Sequence, residues 1–210
     1  MVVPRSARYW SLGDFDGSFS EVWFLCHGYG QLATEILDSA RVLAGPRRLL
    51  VAPEALSRFY HDDHRRVGAS WMTREDRERE IEDYVRYWDL LHDRVFEIIE
   101  RASVRLVLLG FSQGAATAAR WAARGRGAVD HLVLWGAAAP PELDSATSLE
   151  PLTRMQLSLV AGTRDKLFSD GAREEQKQRL DRHGVSFSEL GFDGGHRLDD
   201  DTLATLAASR

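Results

Sequence analysis

One cysteine, Cys26, is present in 210 residues, which excludes an internal disulfide framework and fits a reducing compartment. Lysine is almost as scarce: Lys166 and Lys177 are the only two, and arginine carries the rest of the positive charge. Genome composition and selection for heat stability both give that bias. A net charge of −5 gives no reason to expect nucleic acid or an anionic membrane as partner. No apolar run approaches the length of a membrane-spanning helix, and the opening MVVPRSARYW lacks the continuous apolar stretch of a secretion signal. The expectation is a cytoplasmic protein without membrane insertion. No internal repeat, low-complexity tract or linker divides the chain, so residues 1–210 are expected to form a single domain.

What is present is an alternation. After a short antiparallel strand around Arg8 to Trp10, apolar runs mark strands at 21–26, 47–52, 104–109, 129–135, 155–161 and 185–190. Helical periods fall between them at 33–43, 113–123, 169–182 and 198–208. A longer helix is expected over 73–102, with Thr73 as its N-cap and Ile81, Tyr84, Trp88, Leu91, Val95 and Ile98 on one buried face. The run REDREREIED reads as its solvated face, with ion pairs four residues apart. Residues 54–70 show neither period and are expected to form a long loop. Strands alternating with helices imply the α/β class: a mostly parallel sheet, covered on both faces, with chemistry gathered at the carboxyl ends of its strands.

One such end reads GFSQG, residues 110–114, between the run VRLVLL and an alanine-rich helix. A GxSxG turn between strand and helix lifts its serine above the sheet edge, and small neighbours let the backbone segments pass closely. Ser112 is therefore the candidate nucleophile. A hydroxyl needs a base, and of seven histidines His196, in GFDGGHRL between the last strand and last helix, lies where the base belongs in the chain order serine, acid, histidine. His27 also ends a strand at the catalytic edge, but it precedes the serine and sits in the glycine-rich turn HGYG. The acid must orient the imidazole from a strand end between these two. Asp165, in SLVAGTRD, does so; Asp170 is expected in the first turn of a helix, and Asp193 lies only three residues from His196. For the oxyanion formed on attack, the expected donors are the backbone N–H groups of Gln113 and Tyr29. His27 would shape that second turn by hydrogen bonding.

The set LCHGYG, SWM, GFSQGA, GTRD and GGH, in this order, resembles the phospholipase/carboxylesterase family of small α/β-hydrolases, which includes the acyl-protein thioesterases. The resemblance runs from about Val22 to Leu206. It implies an α/β-hydrolase fold without a large cap domain. It also implies hydrolysis of esters or thioesters through an acyl-enzyme on Ser112, with Asp165 and His196 completing the triad and no metal or organic cofactor. Two departures concern the pocket: Lys166-Leu167-Phe168 stands where family members commonly have Val-Pro after the acid, and Met72-Thr73 where they have an aromatic residue and an aspartate. Trp71, Met72 and Phe168 are the candidate substrate contacts. HDDH, residues 61–64, lacks defined ligand geometry and reads as solvated loop rather than a metal site. Ester, thioester and lysophospholipid substrates all remain open, as do a homodimer contact near residues 54–70 and an idle scaffold that only binds.

Overall fold

A computed structural model describes residues 3–13, 15, 18–61, 64–143 and 149–209. Its main sheet contains β1 (Tyr9–Leu12), β2 (Glu21–Cys26), β3 (Arg48–Pro53), β6 (Arg105–Phe111), β7 (His131–Trp135), β8 (Gln156–Gly162) and β9 (Ser188–Phe192). They lie in the order β1-β3-β2-β6-β7-β8-β9, with only β1 antiparallel to its neighbour. The chain moves from β2 outward to β3 and then returns to place β6 on the other side of β2, so the direction of winding reverses between these two central strands. In open α/β sheets that reversal opens a crevice at the carboxyl ends. Here Cys26 lies opposite Gly110, so the HGYG turn and the GFSQG turn leave the sheet side by side.

The continuous apolar runs are explained by burial on both faces. In β2, Val22, Phe24 and Cys26 point into one core, while Trp23 and Leu25 point into the other. The first core receives α2 (Arg77–Phe96) and α3 (Gln113–Arg124), with Trp88, Trp121 and Phe24 in mutual ring contact. The second receives α1 (Ala33–Ser39) and α5 (Asp200–Ala208). Between β8 and β9 lies α4 (Asp170–Arg182), capped by the Ser169 hydroxyl.

Several sequence expectations are corrected. Residues 54–70 hold an antiparallel hairpin, β4 (Ser57–His61) with β5 (Arg66–Ser70). The long helix is shorter at both ends than 73–102: Thr73 does not cap it, because its N–H and hydroxyl bond to the Glu80 carboxylate, and the preceding residue is Asp76 at φ 49°. Ile98 lies past its end and is exposed rather than buried. The charged run does not form its ion pairs four apart; Arg79 reaches Asp76 three residues back, and Arg77 reaches across to Glu142. The helix expected over 33–43 ends at Ser39 and passes into a 3₁₀ turn, and β9 starts three residues later than Val185.

Candidate active site

Ser112 stands alone between β6 and α3, at φ 55° and ψ −121°. A side chain is strained there, by about 1–3 kcal/mol, so the turn must be held by its surroundings. Ser112 N–H donates to the Trp135 carbonyl at 2.8 Å, and the Ser112 carbonyl accepts from Ala115 N–H at 2.9 Å. The flanking glycines allow the close approach this requires. A β-carbon at Gly110 would lie 2.3 Å from the Gly114 carbonyl oxygen, and one at Gly114 would lie 2.1 Å from that of Cys26.

His196 comes from the loop between β9 and α5, and Asp165 from just beyond β8. The structure brings them together: Nδ1 of His196 donates to Oδ2 of Asp165 at 2.7 Å. Oδ1 of Asp165 accepts the N–H groups of Leu167 at 2.9 Å and Phe168 at 3.0 Å, which fixes the carboxylate plane. Burial pushes the Asp165 carboxyl up, but the bonds from His196, Phe168 and Leu167 outweigh it and hold the group below its ordinary value. With its proton committed on Nδ1, the imidazole presents a bare Nε2. That atom is buried and has no hydrogen-bond partner, Ser112 Oγ included. Reactive hydrogen bonds are often loose without substrate. The ring lies against Phe111, the residue before Ser112, with centroids 4.8 Å apart. It also borders Gly136, next to the Trp135 that holds Ser112; a β-carbon on Gly136 would be 3.0 Å from His196 Cε1 and 3.5 Å from Asp165 Oδ2.

On the opposite side lies the turn after β2, where a β-carbon on Gly28 would approach Ser112 Cβ to 3.2 Å. His27 is fully buried and both its ring nitrogens are used: Nδ1 bonds the Gly28 carbonyl at 2.8 Å, and Nε2 accepts Ala55 N–H at 3.1 Å. Those partners require a neutral ring with its proton on Nδ1, and burial lowers its pKa in the same sense, against weaker opposition from the Gly28 bond and from Glu54 and Glu35. His27 therefore has no lone pair left for Ser112. The Gly28 carbonyl also accepts Gln31 N–H at 3.2 Å, while the Gln31 amide oxygen takes Gly28 N–H at 2.8 Å. Among the described residues, neither Tyr29 N–H nor Gln113 N–H has a partner in the turn and cap hydrogen bonds. Gln113 begins α3, where the first N–H groups have no helical acceptor and the dipole favours an anion.

The remaining sequence candidates fall as follows. Trp71 is buried, with its indole N–H on the His27 carbonyl at 2.8 Å and its ring 4.9 Å from that of His27, so it backs the turn from inside the core. Phe168 is buried and Met72 half-buried, while Leu167 is exposed. His92 lies on α2 and His183 caps α4, while His131 starts β7 at the far end of the sheet, bonded to Arg105 and Ser158. Asp170 does lie in the first turn of α4, and Asp193 pairs with Arg164. Of the HDDH segment, Asp62 and Asp63 lie outside the described residues; His61 packs its ring on Phe59. No group of three His, Cys, Asp or Glu side chains among the described residues is placed to hold a metal, and no described helix is long and apolar enough to cross a membrane. Sequence reasoning missed Gln31, Ser70 and the hairpin that packs on the HGYG turn. The alternation in SRFYH, which sets Phe59 and His61 toward Tyr29, was the available signal.

The family model of the α/β hydrolase fold matches residues 60–183, more than half of the chain. No curated protein sequence matches. Among solved structures, the chain is similar to esterase PE8, with 20% identity, a TM-score of 0.75 and 96% of each chain covered. It is similar to Zea mays acyl-protein thioesterase 2 at 19% identity and TM-score 0.73, covering 97% of this chain and 99% of that one. A carboxylesterase from Mesorhizobium loti gives 21% identity and TM-score 0.74, with 98% and 95% covered. At these identities the likeness is one of fold.

Proposed function

This chain belongs to the α/β hydrolase fold family, and from that premise we propose that it is a serine carboxylesterase, of the phospholipase/carboxylesterase group, that acts through an acyl-enzyme on Ser112. The observation that carries the proposal is the imidazole of His196. Its Nδ1 is tied to Asp165 at 2.7 Å, and its Nε2 is buried and unpartnered on a ring that packs against Phe111, the residue preceding a strained Ser112.

In the reaction, Ser112 Oγ adds to the substrate carbonyl carbon as its proton passes to His196 Nε2. The Asp165 carboxylate stabilises the resulting imidazolium. Negative charge develops on the former carbonyl oxygen, between Tyr29 N–H and Gln113 N–H, each worth about 3–4 kcal/mol to the transition state. Collapse expels the alcohol, which takes the proton back from Nε2. Water then adds to the acyl carbon by the same route in reverse, releasing the acid and restoring the Ser112 hydroxyl. Every proton and electron pair in this cycle is handled by the protein's own groups, so no cofactor is required. Residues 1–210 act as one catalytic domain, and Met72 and Phe168 are the side chains that meet the acyl group.

A thioester follows the same path with a thiolate leaving group, and a related fold carries the name acyl-protein thioesterase. A panel of p-nitrophenyl esters, acyl thioesters and lysophospholipids of graded chain length ranks the substrates. Turnover that vanishes in Ser112→Ala supports the proposal. A purified, folded wild-type protein inert toward the whole panel contradicts it and favours a binding scaffold.

A further inference from the structure

Three residues, Ser70 to Met72, touch both halves of the oxyanion site. Ser70 ends β5, and the segment runs on between the HGYG turn and the start of α3. The carboxamide of Gln113 is consumed entirely by this segment. Its Oε1 accepts Trp71 N–H at 3.1 Å, and its Nε2 donates to the Met72 carbonyl at 2.9 Å and the Ser70 hydroxyl at 3.1 Å. The Ser70 hydroxyl in turn donates to the Met72 carbonyl at 2.8 Å, so the segment is braced against itself. On its other side the Trp71 indole N–H holds the His27 carbonyl at 2.8 Å. Just before it, Ala69 exchanges backbone bonds with the turn, accepting Gly30 N–H at 2.9 Å and donating to the Gln31 carbonyl at 3.1 Å.

These bonds aim the donors. A trans peptide holds its C=O and N–H in one plane, pointing in opposite directions. The His27–Gly28 peptide is held at its oxygen by Trp71 and at its nitrogen by Gln31; the Gly28–Tyr29 peptide is held at its oxygen by His27 and Gln31. The free end of that second peptide is Tyr29 N–H. On the other side, anchoring the Gln113 side chain fixes the first residue of α3 against rotation about the helix end.

We infer that Ser70–Trp71–Met72 is a strut that sets the separation and direction of the two oxyanion donors, with Gln113, through its side chain, and Trp71 as positioning residues. The inference rests on the esterase proposal. It also accounts for the burial of Trp71, which the sequence had suggested as a substrate contact. Exposed substrate contacts do not spend an indole N–H on a backbone carbonyl behind the site.

The test uses Gln113→Met, which keeps the backbone N–H and approximate volume but removes all three side-chain bonds, and Trp71→Phe, which removes the indole N–H. Misplacing donors rather than deleting them predicts a fall in kcat of about 10- to 100-fold with KM changed less than about threefold. Affinity for a trifluoromethyl ketone, whose tetrahedral adduct places an oxyanion between the donors, falls by the same factor. A merely structural role lowers the thermal midpoint and leaves both quantities unchanged in the folded fraction. Should Gln113→Met not fold, Ser70→Ala, which removes one hydroxyl, carries the test with a smaller predicted loss. Folded variants that keep kcat and ketone affinity within twofold overturn the strut alone. A wild-type protein with no esterase activity overturns the esterase proposal and the strut with it.

Discussion

Asp165→Asn should disable the base without disturbing its position. Oδ1 of Asp165 accepts two backbone N–H groups, from Leu167 and Phe168. An asparagine must place its carbonyl oxygen there, since an NH₂ would meet two donors. Its NH₂ then occupies the site of Oδ2 and points at His196 Nδ1, 2.7 Å away in the native protein. To accept that hydrogen, Nδ1 must lose its proton, and the imidazole carries it on Nε2 instead. The atom meant to take the Ser112 proton is then itself a donor. Inverting the tautomer of a triad histidine costs about 10⁴ in kcat, equivalent to about 5 kcal/mol of transition-state stabilisation. The assay is steady-state hydrolysis of p-nitrophenyl butyrate, paired with the rate of inactivation by a fluorophosphonate. Both rates should fall together while the thermal midpoint moves by only a few degrees. A loss below tenfold, in a variant as well folded as the wild type, would refute the assignment of Asp165 and the tautomer argument together.

Further predictions test other parts of the molecule. His131 is buried against Arg105, and burial followed by that guanidinium pushes its pKa down to about 4, with Glu21 opposing. The unfolded chain binds the proton near 6.5 and the folded chain only near 4, so stability falls as pH drops through that window, by about 2 kcal/mol at pH 5. Urea midpoints at pH 7.5 and 5 should show this loss shrinking in His131→Gln, and an unchanged loss counts against it. Gly114→Ala forces a methyl to 2.1 Å from the Cys26 carbonyl oxygen, and should cost about 3 kcal/mol, lowering the thermal midpoint by about 6–12 °C. A midpoint within 2 °C of the wild type would mean that the two turns have room to separate.

The element order was legible because buried parallel strands have continuous apolar runs, and EVWFLC and RLVLLGF kept that signature with few exceptions. The hairpin at 57–70 was read as loop because the alternation in SRFYH, Phe59 and His61 against Arg58 and Tyr60, is short and is followed by the charged run HDDHRR, which masks it. Helix ends were misread where a side chain competes for the backbone, as Glu80 does at Thr73. Among the site candidates, Ser112, Asp165 and His196 stood out because each sits at a strand end in the chain order the chemistry needs. Hydrogen bonds between distant segments leave no such mark. The Gln113 carboxamide and the Trp71 indole act across 42 and 44 positions of sequence, and nothing in the letters around them specifies the partner.

The central claim is that Ser112 is activated for attack by His196. It is tested most directly by treating the native protein with a fluorophosphonate at neutral pH and locating the adduct by intact-mass and peptide mass spectrometry. The account predicts one phosphonyl group on Ser112, with labelling lost in His196→Ala. A protein that stays unlabelled, or is labelled at another residue, would contradict it.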